Sequence, residues 1–196
     1  MKPGFWTQFR ILFIEQTAGI RLGDFLIVII LSALLTFIPG YIMHIKRGTS
    51  FDRIIHVYIT FLYIGVMLLF TIIRRKAGSR SGRIVTDFDF GMTFSGIYSR
   101  RQVIYCLMNV VLFIPFGLFL GLFRKKESFM KIIIMTMLLG FLSSFCIEVT
   151  QHITKTGVFE VTDLATNVAG TVIGAFLAAL SNCMFRVIRN YNNEKR

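Results

Sequence analysis

Residues 132–154 read IIIMTMLLGFLSSFCIEVTQHIT and contain no lysine or arginine. A helix needs about 20 predominantly apolar residues to cross a hydrocarbon core, so this stretch is long enough to span a bilayer. Four more stretches of the same kind lie at 25–45, 54–73, 102–123 and 161–185, and all 22 basic residues fall outside the five. The apolar runs are continuous rather than alternating, which excludes an outer-membrane barrel. The chain therefore reads as all-α: a polytopic membrane helix bundle of about five transmembrane helices.

Composition agrees. Of 196 residues, 55% are apolar and only 16% charged, against about 25% charged in a soluble domain. With 3 Pro and 3 Cys, disorder, collagen and a disulfide scaffold are excluded. A net charge of +12 is the footprint expected of a nucleic-acid binder, but here the charge is sorted to span ends, so no nucleic-acid partner is expected. Cys106, Cys146 and Cys183 fall in three different spans and read as small apolar packing residues. No metal ligand set and no cofactor is expected. The first span is followed by Lys46-Arg47 rather than a small-residue cleavage site, so it does not read as a cleaved signal peptide.

The organisation expected is an N-terminal interfacial segment (1–24), a two-helix membrane part (25–73), a three-helix core (102–185) and a basic C-terminal tail (186–196). In the first segment, Phe5, Phe9, Leu12 and Phe13 form one apolar stripe beside Trp6. That pattern suits a helix lying in the interface, or equally an extension of span one. In the long connection 74–101, Phe88, Phe90 and Phe94 alternate among Asp87, Asp89 and Thr93, which suits an extended segment or a loop lying on headgroups. Pro115 is expected to bend the third span. Gly117 with Gly121, and Gly170 with Gly174 and Ala178, have the small-xxx-small spacing that lets helix backbones approach. Basic residues divide evenly between the two sides, but they are densest in 124–131 and beside the last helix. Their density orients the C-terminus to the cytoplasm, with 74–101 and 155–160 outside.

Within the five spans the acids are Glu148 and Asp163. A carboxylate at membrane depth costs on the order of 3 kcal/mol or more, so it normally faces the bundle interior. Glu148, Gln151 and His152 stand at i, i+3 and i+4, and Asp163 and Asn167 at i and i+4, so each set shares one helix face. The six residues 155–160 join these helices, and Asn109 enters its span from the same side. The spacing predicts a polar intramembrane pocket of Asn109, Glu148, Gln151, Asp163 and Asn167, rimmed by Arg100, Arg101, His152 and Lys155. The bland alternative is that Asn and Gln tie helices together, each for about 0.6 kcal/mol, and that Asp163 serves the helix dipole.

Three blocks carry a further likeness: Asn109 to Gly117 (NVVLFIPFG), Glu148 to Gln151 (EVTQ), and Gly157 to Gly170 (GVFEVTDLATNVAG). In order and spacing they strongly resemble the VanZ-like family, over about 102–180. The resemblance implies a small membrane protein linked to resistance against the glycopeptide teicoplanin, mainly in Gram-positive bacteria. It implies roles for Asn109, Glu148, Gln151, Asp163 and Asn167, with Gly170 as a close-packing residue. The family often has an acid where this chain has Thr162, an Arg in the short loop where this chain has at most Lys155, and an Asn-x-x-Pro-Phe element not recognisable in 74–101. A site built on adjacent paired acids, such as a divalent-metal site, is therefore not expected.

The function expected is a non-enzymatic cell-membrane protein whose pocket binds an envelope lipid or an amphiphilic drug. Its partners would be membrane lipids, a lipid-linked wall precursor or a glycopeptide. An alternative is a membrane enzyme using Glu148 as acid or base, though the sequence has no activated nucleophile or phosphate-binding loop. A small transporter or flippase is the third reading, and no inverted repeat supports it.

Overall fold

The computed structural model describes residues 4–80, 82–91 and 99–195. Thr93 and Phe94 of the alternating pattern lie outside the described residues. In chain order the elements are α1 (Phe5–Thr17), α2 (Leu22–Arg47), α3 (Phe51–Leu68), a π-helical turn (Leu69–Ile73), β1 (Ile84–Val85), α4 (Arg100–Leu122), α5 (Phe129–Ile153), β2 (Phe159–Glu160) and α6 (Val161–Glu194). Five helices are long and apolar enough to cross a membrane: α2, α3 with its π turn, α4, α5 and α6. The chain is a multi-pass, all-α membrane protein.

Local chemistry sets the helix ends. Gly19 takes a φ of +91°, and the Asp24 carboxylate accepts the Arg21 N–H at 2.7 Å. Thus α1 is a helix in its own right, and Asp24 caps the start of α2. Gly48 ends α2 in the left-handed region with φ +63°, its N–H donating to His44 O at 2.9 Å, as helix C-termini commonly do. The helices run past the charge-free stretches: α2 includes Lys46 and Arg47, α4 starts at Arg100, and α6 continues through Arg186 and Arg189. Lysine and arginine are good helix formers with long stems that reach polar surroundings, so they mark the edge of the apolar run rather than the end of the helix. Most of 186–196 is accordingly the last part of α6 rather than a separate segment.

The chain divides into two compact units, Met1–Gly82 with Thr150–Gly157, and Arg83–Val149 with Val158–Arg196. In the first unit α2 packs on α3, closely at Gly65, where a Cβ would lie 2.6 Å from Val28 Cγ1. Arg74 ties α1 to the end of α3, donating to Phe70 O at 2.7 Å, to Glu15 O at 3.3 Å and to the Gln16 amide oxygen. The segment after α3 runs beside 154–155, with Gly78 N–H donating to Thr154 O at 3.0 Å and Arg80 N–H to Lys155 O at 2.9 Å.

In the second unit α4 and α6 are joined backbone to backbone. A Cβ on Gly170 would lie 2.2 Å from Val110 O, one on Gly174 2.0 Å from Ile114 O, and one on Gly117 2.1 Å from Thr171 O. The two small-residue stripes read from the sequence face each other, and α4 stays one continuous helix through Pro115. At Gly140 of α5 a Cβ would meet Thr171 Oγ1 at 2.4 Å, so Thr171, fully buried, is held between α4 and α5. At the far end Asn182 donates to Gly121 O at 3.4 Å and Arg186 to Lys125 O at 2.7 Å, which fixes the extension of α6 on the connection after α4.

The contact at Gly174 meets backbone, which cannot rotate aside. Gly174→Val should therefore destabilise the protein by about 1–3 kcal/mol or more, while Gly23→Ala, with nothing within 4 Å, should be nearly neutral. Melting temperatures of the detergent-purified variants check this; equal values for Gly174→Val and the parent would contradict the α4–α6 packing.

Candidate functional site

The inner face of α5 carries Thr136, Gly140, Ser144 and Glu148 at four-residue steps, one above another on a helix. All are buried, and Glu148 is only 2% exposed. α6 faces them with Asn167 and Thr171. The Asn167 amide donates from Nδ2 to Ser144 Oγ at 2.9 Å, and the Thr171 hydroxyl donates to Asn167 O at 3.0 Å. One turn on from Ser144, about 6 Å along the axis, Glu148 Oε2 accepts the N–H of Glu160 at 3.2 Å. That N–H opens α6 and has no intrahelical acceptor. Asn167 Oδ1 is a buried acceptor with no donor among the described residues, and buried acceptors are rarely left so.

Asn109 and Asp163 complete this set, both half-buried. Asn109 precedes Val110, whose carbonyl abuts Gly170, so it stands level with the turn of α6 that follows Asn167. Its amide has no hydrogen-bond partner among the described residues. Asp163 lies in the first turn of α6, one turn above Asn167. The Cys106 thiol of α4 lies 3.9 Å from Asp89 O, so the loop carrying Asp89 reaches this part of α4. Arg100 is half-buried; Arg101 is exposed and turned to Tyr105, donating to its hydroxyl at 2.9 and 3.1 Å.

Segment 83–91 is built onto the second unit rather than lying free. β1 pairs with β2 in parallel, Ile84 opposite Phe159 and Val85 opposite Glu160. Thr162, 2% exposed, accepts the Asp89 N–H at 2.9 Å and donates to Asp87 O at 3.3 Å. Asp89 Oδ1 in turn accepts the Gly91 N–H at 2.8 Å. Phe88 and Phe90 are exposed and stacked, centroids 5.9 Å apart. Of this stretch only Ile84–Val85 is strand; Phe88 and Phe90 lie in the irregular chain that follows it. An ionised acid at 162 could accept from Asp89 but not donate to Asp87, which gives the threonine a physical reason.

Gln151, His152 and Lys155 belong to the first unit. Gln151 is buried and donates from Nε2 to Thr71 O, in the π turn, at 3.0 Å. Arg75 donates to Thr156 O at 3.4 Å. A Cβ on Gly157 would fall 2.5 Å from Gln151 Oε1 and 3.0 Å from Arg75 Nη1, so the chain passes close to these two groups here. His152 is half-buried, and Lys155 is exposed with a φ of +52°. Ser144, Thr171 and Arg75 do not stand out in the sequence, and Thr162 does so only as a departure from the VanZ-like pattern. The first two were findable, four residues before Glu148 and four after Asn167; the others act through backbone atoms, which leave no mark in sequence.

Compared with known proteins, residues 25–182 match the VanZ/LLP1 family. Protein VanZ of Enterococcus faecium is 36% identical over 74 residues, 38% of this chain and 44% of that protein. The match thus spans less than half the length of that relative. No solved structure matches the chain.

Thr162→Val keeps the shape but leaves the Asp89 N–H and Asp87 O without their partner, at a cost of about 1–3 kcal/mol. Amide hydrogen exchange in 86–91 should speed up in Thr162→Val and stay near the parent rate in Thr162→Ser. Unchanged protection in the valine variant would contradict this anchoring.

Proposed function

The chain belongs to the VanZ/LLP1 family, and from that premise we propose that it binds the polar head of an envelope lipid or an amphiphilic drug among Asn109, Glu148, Asp163 and Asn167. By sequestering such a molecule it contributes to teicoplanin-type glycopeptide resistance or to envelope homeostasis. The observation that carries this reading is Glu148, a carboxylate 2% exposed on a membrane-spanning helix, one turn from a buried amide oxygen that lacks a donor. A purely structural role would be filled by glutamine without the roughly 3 kcal/mol cost of a charge at depth. The acceptor-rich lining suits a ligand that offers hydroxyl or amine donors.

Binding is favoured over turnover because the hydroxyl on the same face of α5 one turn before Glu148, that of Ser144, is engaged by the Asn167 amide. The reading places the protein in the cell membrane with 155–160 outside and the C-terminus in the cytoplasm, where a surface-acting glycopeptide or a wall-precursor lipid meets the site.

Glu148→Gln preserves shape and hydrogen bonding and removes the carboxylate. It should reach the membrane at the parent level yet return teicoplanin susceptibility in a sensitised host to that of empty vector. Asp163→Asn, which retains the capping capacity of its position, should keep more of the phenotype. A fully active Glu148→Gln protein would leave Glu148 as a packing residue and overturn the proposal.

A further inference from the structure

In the first unit, α2 and α3 meet at the short connection 48–50 and leave between them an open groove of about 440 Å³. Its sides are Phe37, Ile38, Tyr41 and Ile42 from α2 and Phe51 from α3, and Ile54, 4% exposed, lines it as well. Ile54 also packs against Gly40, where a Cβ would stand 2.9 Å from Ile54 Cγ2. The walls are braced: Phe37 packs on Tyr58 with centroids 5.2 Å apart, and Phe51 meets the edge of His44 at 5.9 Å. His44 Nδ1 is itself 2.7 Å from Thr49 O. An apolar groove with fixed walls on two membrane-spanning helices is filled by a lipid tail rather than by water.

The same end of α2 and α3 carries Lys46, Arg47 and Arg53, all exposed, against one acid, Asp52. None of the three forms an ion pair among the described residues. Basic residues at the membrane surface attract anionic headgroups, and a zwitterionic lipid gains much less from them. We propose that this elbow is a resident site for an anionic phospholipid, one acyl chain in the groove and the phosphate among Lys46, Arg47 and Arg53. The site uses none of the residues assigned to the headgroup pocket, so it stands or falls on its own.

The test uses the full chain, reconstituted in phosphatidylcholine vesicles, with its single tryptophan moved to the groove (Trp6→Phe with Tyr41→Trp). Acyl-brominated phosphatidylglycerol should quench this tryptophan at concentrations roughly fivefold lower or more than acyl-brominated phosphatidylcholine. The preference should vanish in the combined Lys46→Gln, Arg47→Gln and Arg53→Gln variant, and shrink in 1 M salt, where screening acts within about 3 Å. Equal quenching by the two lipids would overturn the proposal. So would a preference that survives both charge removal and salt.

Discussion

Backbone contact between α4 and α6 is the constraint on which the second unit depends. Helices in lipid gain little from burying apolar side chains, because the tails around them are equally apolar, so close packing of small residues must hold them. Here Gly170, Gly174 and Gly117 bring one helix's Cα positions against the other's carbonyls. That approach fixes both translation and rotation of α6. Once α6 is fixed, Thr171 lies between α4 and α5, and Asn167 stands opposite Ser144. The polar residues are placed by the glycines, although they contribute little to holding the helices together.

The consequence is a polar seam inside an apolar bundle. Thr136, Ser144 and Glu148 on α5 and Asn167 and Thr171 on α6 are all buried, and they lead towards the end of the unit where β2 and the 83–91 segment sit. Glu148 is met there by the Glu160 N–H, one of the few backbone donors that a helical bundle leaves open. The short β1–β2 ladder and the Thr162 anchor hold the loop carrying Asp87 and Asp89 against this end. Rigid helices thus position the buried groups, and a pinned loop supplies polar chemistry from outside them.

Much of this was legible in the sequence, for physical reasons that also set the limits. Charge is costly in hydrocarbon, so basic residues outlined five spans; but lysine and arginine favour helix, so they did not mark where α2, α4 and α6 end. The small-residue stripes and the i, i+4 sets Glu148–His152 and Asp163–Asn167 were visible because helical spacing fixes which residues share a face. The alternation at Phe88 and Phe90 allowed two forms; the strand ends at Val85, and the two rings lie in the irregular chain beyond it. Gln151 and Thr162 were harder. Their partners are the carbonyl of Thr71 and the backbone of Asp87 and Asp89, more than seventy residues away, and backbone atoms look alike at every position. The division of α5 between two units, with Glu148 in one and Gln151 in the other, left no compositional trace either.

The central claim is that α5 and α6 face each other through Ser144 and Asn167. It is tested most directly by pairing Ser144→Cys with Asn167→Cys, with Cys106, Cys146 and Cys183 replaced, and treating native membranes with a short bis-methanethiosulfonate linker before labelling the denatured protein. Side-chain atoms now 2.9 Å apart put the two positions in direct contact, within reach of such a linker. The account predicts an efficient intramolecular crosslink, read as protection of both thiols from maleimide and its loss on reduction. Free, fully labelled thiols in a protein that is folded and inserted at the parent level would contradict it.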